Sequence, residues 1–220
     1  MADPLVVATG LARTYYRGAT PLVAVAAATC TVQAGDRIAL VGPSGSGKTT
    51  LLHLLGGLDT PSAGRLTWPA LGPAAMLRPA HIALVFQRPS LLPPLTVSEN
   101  VALPLLLGGM APAAAQAAAS AVLDRLGLAD LATRLPNELS GGQAQRVAVA
   151  RALAAGPALI LADEPTGQLD QATAAQLLDG LLTALQDSPT ALVIATHDPA
   201  VAARMTQGWQ MVHGVLAVAS

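Results

Sequence analysis

Arg37-Ile38-Ala39-Leu40-Val41-Gly42-Pro43-Ser44-Gly45-Ser46-Gly47-Lys48-Thr49-Thr50-Leu51-Leu52-His53-Leu54-Leu55 is the stretch on which the reading of this chain turns. The short apolar run Ile38 to Val41 predicts a buried strand. It enters a glycine-rich loop, Gly42 to Thr49, and leaves through Thr50 as a Leu-rich helix. Strand, loop and helix in that order are the setting in which this spacing of glycines, lysine and threonine binds phosphate. Glycines let backbone N–H groups close around a phosphate chain, where a Cβ would block the approach. The helix adds its positive N-terminal end. Lys48 supplies a point charge for the β- and γ-phosphates, and the Thr49 hydroxyl is placed to ligate Mg²⁺. A Gly/Ser loop that merely turned the chain would not need the lysine, the threonine and both flanks together. The stretch implies a nucleoside triphosphate site.

Outward from it, the 220 residues suit one large domain with ample core. Charged residues make up 11% of the chain, against a typical share of about 25%, and the apolar content is mostly Ala, Leu and Val. Either coding bias or a surface that docks on a hydrophobic partner would produce this balance. No apolar run reaches the ~20 residues of a membrane-spanning helix; Leu22 to Thr29 and Val101 to Leu107 are the longest candidates. The Met-Ala-Asp-Pro start lacks the basic and apolar regions of a secretory signal. A single cysteine, Cys30, excludes a disulfide framework. These features point to a cytosolic chain. The net charge of −1, without any Lys/Arg cluster, argues against a nucleic-acid partner.

Upstream, Leu5 to Ala8 and Leu22 to Val32 read as strands flanking a turn with Gly18 and Pro21. Tyr15 and Tyr16 lie between them. Either could stack on a purine, although strand-end packing is the simpler reading of the spacing alone. Downstream, Gly56-Gly57 stops the phosphate-loop helix, and Arg65 to Trp68 forms a short strand. Ile82 to Phe86 is a further apolar strand ending at Gln87. A Pro-rich loop follows, then a helix from about Ser98 and an Ala-rich helix from Ala113. Val122 to Leu135 reads as more helix, broken at Gly127. Ser140-Gly141-Gly142 opens another helix, with Val147, Ala150 and Ala154 as its buried stripe. Ala158 to Ala162 and Ala191 to Ala195 are strands, with a helix over Gln171 to Gln186 between them. Asp198-Pro199 caps a last helix, and Trp209 to Val212 with Val215 to Val218 forms a hairpin.

Continuous apolar strands alternating with helices predict an α/β fold, its mostly parallel sheet covered on both faces. Ligands bind such sheets at the carboxyl ends of the strands. Lys48, Gln87, the Asp163-Glu164 pair and His197 each follow such an end and should converge on one crevice. Taken singly, Gln87 reads as a solvated strand end, Glu164 as an exposed carboxylate before a proline, and His197 as a turn residue. Adjacent carboxylates near a strand end point to opposite sides, so one can face a metal and the other a water beyond the γ-phosphate. That suits phosphoanhydride hydrolysis.

Leu139-Ser140-Gly141-Gly142-Gln143, followed by Ala144-Gln145-Arg146, resembles the signature of the ATP-binding cassette (ABC) ATPases, the nucleotide-hydrolysing subunits of transporters. The phosphate loop, Gln87, Leu159 to Glu164, Gly167-Gln168-Leu169-Asp170 and His197 surround it in the family's order. The resemblance implies one cassette over residues 1–220: a catalytic core with an antiparallel β subdomain (1–86 and 140–220) and a helical subdomain (87–139). It implies that Tyr15 stacks on adenine, that the loop Gly42, Pro43, Ser44, Gly45, Ser46, Gly47, Lys48, Thr49 and Thr50 holds ATP, and that Thr49 and Gln87 hold Mg²⁺, with Asp163 reaching it through water. Glu164 would polarise the attacking water and His197 contact the γ-phosphate. Ser140, Gly141, Gly142 and Gln143 would face the ATP of a second copy, with Asp170 in the loop coupling the two sites. The implied working unit is a head-to-tail homodimer bound to an integral membrane permease, on the cytoplasmic face of the cell membrane.

Gly56-Gly57-Leu58-Asp59, Leu91-Leu92-Pro93 and Thr96-Val97-Ser98-Glu99-Asn100 are similar to the lipoprotein-releasing, macrolide-export and cell-division group. Three features depart from that group: Gln168 in place of Asn, a shorter Pro/Ala-rich segment from Leu66 to His81, and His213-Gly214 in place of Asp-Gly. Besides driving a permease, the same cassette could serve as a signalling module of a cell-division-type complex or as a soluble ATPase of cluster assembly.

Overall fold

A computed structural model describes residues 2–218. In chain order the elements are β1 (Val6–Arg17), β2 (Thr20–Val32), β3 (Arg37–Val41), α1 (Lys48–Leu55), β4 (Ala63–Thr67), β5 (Ile82–Val85), α2 (Val97–Leu107), α3 (Pro112–Arg125), α4 (Gly141–Ala154), β6 (Leu159–Asp163), α5 (Gln171–Ala184), β7 (Ala191–Thr196), α6 (Pro199–Ala202), β8 (Gln207–Val212) and β9 (Val215–Val218). They form two sheets: a three-stranded one in the order β2-β1-β4 and a six-stranded one in the order β5-β6-β7-β3-β8-β9. The first is antiparallel. In the second, β5, β6, β7, β3 and β8 run parallel and only β9 turns back.

The apolar strands are continuous because both of their faces are covered, and the side-chain period of two divides them between two cores. Leu159, Leu161, Val193 and Ala195 face one way, joining Ile38, Leu40, Leu51, Leu55 and Trp209 in a core shared with the antiparallel sheet. Ile160, Ala162, Leu192 and Ile194 face the other way, onto Val149, Leu153, Leu177 and Leu181 of α4 and α5. Fully burying each such Leu or Ile contributes about 1.5–3 kcal/mol, so the central strands are held from both sides.

A third cluster joins Val101 and Leu105 of α2, Ala115, Ala119 and Leu123 of α3, and Val147 and Ala150 of α4. Helix α4 therefore packs both ways: Val147 and Ala150 enter the helical cluster while Val149 and Leu153 enter the sheet core. The break expected at Gly127 is present, but no α-helix resumes beyond it toward Leu135. Helix α3 stops at Arg125, Gly127 takes a positive φ of 62°, and only a short 3₁₀ turn, Ala129–Leu131, follows. Leu128 and Leu131 dock that turn on the helical cluster, so burial rather than helix propensity shapes the segment. The antiparallel hairpin also exceeds expectation, with β1 running through both tyrosines to Arg17. In the last hairpin His213 and Gly214 have φ of 48° and 80°, left-handed values that suit a tight two-residue turn.

Helix α2 begins in a capping box: Glu99 N donates to Thr96 Oγ1 (3.3 Å) and Thr96 N to Glu99 Oε2 (2.8 Å). The bond from the Thr96 N–H, then that from its hydroxyl, holds the Glu99 carboxyl below the usual carboxylate range. A depressed carboxylate stabilises the fold above its unfolded pKa. That contribution is lost only as pH falls through the lower folded value, so this cap survives acid that would protonate an ordinary glutamate.

Candidate active site

Because β3, β5, β6 and β7 run parallel, their carboxyl ends open on one rim. The register keeps them level: Val41 lies opposite Thr196, Asp163 opposite Ala195, and Val85 opposite Ala162. A cavity of about 320 Å³ sits at this rim, lined by Tyr15, Leu22, Val23, Ala24, Ser44, Gly45, Gly47, Lys48, Thr49, Thr50, Gln87, Asp163 and Glu164.

Its floor is the loop between β3 and α1. Gly47 caps α1 at φ 105° without a side-chain hydrogen bond, whereas α2, α4 and α5 are each capped by a side chain. The first-turn N–H groups of α1 thus remain available to an anion, with the helix dipole behind them. A Cβ on Gly47 would lie 2.1 Å from Ala24 O, and one on Gly42 2.1 Å from Met211 O. Gly47→Ala combines a backbone clash with a conformation that L side chains avoid, which should cost roughly 2–4 kcal/mol. Scanning calorimetry should show Tm lower by about 5–15 °C. Lys48, 5% exposed, donates from Nζ to Gly42 O (2.8 Å) and Pro43 O (3.1 Å), which spreads its ammonium across the loop.

The two carboxylates after β6 diverge. Asp163 Oδ2 accepts from Thr49 Oγ1 at 2.7 Å. Glu164 Oε1 lies 3.6 Å from Lys48 Nζ, and its Oε2 lies 2.8 Å from His197 Nδ1. Glu164 takes a left-handed φ of 44°, a conformation costly for a residue with a side chain and concentrated at functional positions. The Glu164 N–H donates to Ala195 O (2.9 Å) and its carbonyl accepts from Gly167 N (3.1 Å), which holds the backbone there. His197 is largely exposed and lines an adjoining cavity with Glu164, Gly167, Leu169 and Asp198. The rim therefore brings together Lys48, Thr49, Gln87, Asp163 and Glu164, with His197 touching Glu164 from the neighbouring side. Thr49, Gln87 and Asp163 form a sparse oxygen-donor set that leaves room for phosphate oxygens and water, as Mg²⁺ requires.

Of the two tyrosines, Tyr15 lines the cavity, while Tyr16, 74% exposed, does not. The signature residues stand elsewhere. Ser140 Oγ accepts from Gln143 N (3.2 Å) and Gln143 Oε1 from Ser140 N (2.9 Å), which closes a capping box on α4. A Cβ on Gly142 would meet Thr173 Cγ2 at 2.7 Å, so α4 starts against α5, and none of Ser140–Gln143 lines the phosphate cavity. Asp170 caps α5, its Oδ1 accepting from Thr173 N (3.0 Å) and its Oδ2 from the Thr173 hydroxyl (2.7 Å). These bonds, the backbone one foremost, hold its carboxyl below the usual range.

Several supporting residues escaped the sequence reading. Gln145 Nε2 donates to Phe86 O (3.1 Å), tying α4 to the end of β5. Trp68 Nε1 donates to Leu55 O (2.8 Å), and Arg78 donates to Gly56 O and to Gly57 O, closing the carboxyl end of α1. Only tertiary packing reveals these contacts. Asp59 ends the Gly56–Asp59 stretch that resembles the family, yet nothing local indicates that it meets Tyr15.

A phosphate loop leading into an uncapped helix, with a carboxylate pair one strand beyond its neighbour, defines a phosphate-loop nucleoside triphosphatase. Residues 25–167 match the family described as ABC transporter. The lipoprotein-releasing system ATP-binding protein LolD of Legionella pneumophila (strain Lens) is 44% identical over 212 residues, covering 93% of each chain. LolD of Chromohalobacter salexigens is 45% identical over 217 residues, covering 94% of this chain and 90% of the relative. Among solved structures, the ATP-binding cassette MJ0796, a dimer in a post-hydrolysis state with ADP and Pi, superposes with a TM-score of 0.86. It is 33% identical and covers 97% of this chain and 98% of its own. The chain belongs to the ABC transporter family and is one of its ATP-binding, ATP-hydrolysing cassettes.

Proposed function

We propose that this cassette powers a lipoprotein-releasing permease, working from the cytoplasmic face of the membrane as a homodimer that encloses two ATP molecules. The observation that carries the dimer is the separation, within one chain, of the phosphate cavity from the Ser140–Gln143 helix start, which is not among the cavity's lining residues. A second copy packed head to tail supplies the missing wall, with the positive end of its α4 directed at the γ-phosphate. The similarity to LolD supports the cargo class, and the dimeric MJ0796 supports the assembly. Within this unit, residues 1–86 and 140–220 act as the catalytic core and residues 87–139 as the helical subdomain, with Asp170 in the loop between the two sites.

In the assembled site Tyr15 stacks on adenine, and the Gly42–Thr50 loop binds the phosphates. Thr49 and Gln87 would hold Mg²⁺, and Asp163, whose Oδ2 accepts from the Thr49 hydroxyl, would reach it through water. Bound there, the ion would supply charge neutralisation to the triphosphate. Glu164 orients a water and accepts its proton as the new P–O bond forms and the bond to ADP breaks, releasing phosphate. Lys48 balances the charge on the transferring group, and His197 holds Glu164 and the γ-phosphate in line.

The permease contact belongs to an apolar groove of about 290 Å³ between the core and the helical segment, lined by Leu58, Phe86, Leu103, Pro104 and Leu107 among others. Leu107 is 69% exposed, and the groove adjoins the end of β5, where Gln87 begins. No described helix is long and apolar enough to cross a membrane, so membrane attachment falls to such a surface. Pull-down of the tagged chain from detergent-solubilised membranes should recover a permease, and Leu107→Glu should reduce that recovery at least about tenfold. Recovery of cluster-assembly proteins instead would overturn the reading. Reconstituted vesicles carrying a lipoprotein then distinguish release from signalling.

A further inference from the structure

Asp59 lies just past the carboxyl end of α1, 44 residues from Tyr15 in sequence, yet Tyr15 Oη donates to its Oδ2 at 2.6 Å. The same carboxylate accepts from Arg13 Nε at 2.9 Å, and its other oxygen lies 2.7 Å from Arg13 Nη2. Arg13 in turn lays its guanidinium over the Tyr15 ring, 4.6 Å from the centroid. The Thr60 N–H donates to Asp59 Oδ1 (2.7 Å), and Asp59's own N–H donates to His53 O within α1 (3.3 Å). The carboxylate is thus anchored to the helix that begins at Lys48. Two strand residues that would otherwise sample several rotamers are tied to it.

We infer that Asp59, with Arg13, is a positioning pair that fixes the Tyr15 ring as a base platform at a set distance from the phosphate loop, leaving one ring face for the purine. The inference rests on the reading of Tyr15 as the adenine-stacking residue and adds what holds it there. One face of the ring is covered by Arg13, and the ring borders the cavity that also contains Lys48 and Thr49. A nucleotide held at both ends must match the span between ring and loop, and the link through Asp59 to α1 sets that span before binding. Without the link the ring has to be ordered at the moment of binding, at the expense of affinity. The pair touches no phosphate, so its effect is confined to ligands that carry a base.

Calorimetric titration with ATP and with inorganic tripolyphosphate, both in Mg²⁺, tests this on the full chain. Asp59→Ala should weaken ATP roughly three- to tenfold, the factor expected when ordering one aromatic side chain moves from folding to binding. Tripolyphosphate affinity should stay unchanged. Tyr15→Phe, which keeps the ring and removes only its hydroxyl, should lose a similar factor, and the double variant little more than either single one. Equal loss for both ligands would reduce Asp59 to a structural role and overturn the inference, as would unchanged ATP affinity in Tyr15→Phe. Tyr15→Ala separates the two layers. If it weakens ATP while Asp59→Ala does not, the platform stands and the positioning pair falls; if it leaves ATP binding intact, both fall. Should Asp59→Ala not fold, Tyr15→Phe alone decides.

Discussion

Glu164→Gln is expected to bind ATP about as tightly as the parent chain and to hydrolyse it roughly 10²–10⁴-fold more slowly, the range for loss of a positioned general base. The amide keeps the shape and a hydrogen-bonding oxygen but cannot take the proton of an attacking water. In the structure the carboxylate stands between Lys48 Nζ at 3.6 Å and His197 Nδ1 at 2.8 Å, so the substitution also removes a negative charge beside the lysine. That change does not weaken attraction for a triphosphate. With hydrolysis stalled, the ATP-bound dimer should accumulate. Size-exclusion chromatography with light scattering, in ATP and Mg²⁺, should show a species of twice the chain mass that reverts on nucleotide removal. A monomer under those conditions would contradict a site completed by a second copy.

Lys48→Ala should weaken ATP by at least about thirtyfold and as much as several thousandfold, the span seen when one partner of a buried charge contact is truncated. The ammonium is nearly buried and fixed on the Gly42 and Pro43 carbonyls at 2.8 and 3.1 Å, so it is presented to the phosphates without further ordering. Titration calorimetry measures the loss, and a circular dichroism melt checks that the fold persists. Near-normal affinity would mean that the loop N–H groups alone bind the phosphates.

Much of this is legible in the chain itself. Ile38 to Val41, Ile82 to Phe86, Ala158 to Ala162 and Ala191 to Ala195 read as strands because burial on both faces leaves uninterrupted apolar runs. Parallel packing then made convergence at their carboxyl ends a geometric necessity, and Glu164, Gln87 and Lys48 do line one cavity. The β1–β2 hairpin was underestimated because register shifts interrupt its alternation and one face of it stays partly exposed. The segment after α3 misled because its leucines suit a helix, whereas their burial as a 3₁₀ turn depends on neighbours far away in sequence. Spacing could not choose between Tyr15 and Tyr16. The fold puts Tyr15, not Tyr16, beside the cavity and gives it Asp59 as a partner that is distant in sequence. Likewise, nothing local announces that α4 faces two cores.

The left-handed backbone at Glu164 carries an evolutionary consequence. Glycine would relax that φ of 44°, a gain of about 1 kcal/mol or more, and would also remove the carboxylate. On the role proposed for Glu164, selection for heat resistance alone would favour glycine at this position and yield hardier, inert cassettes. On that same role, demand for turnover is what would hold so awkward a residue in place.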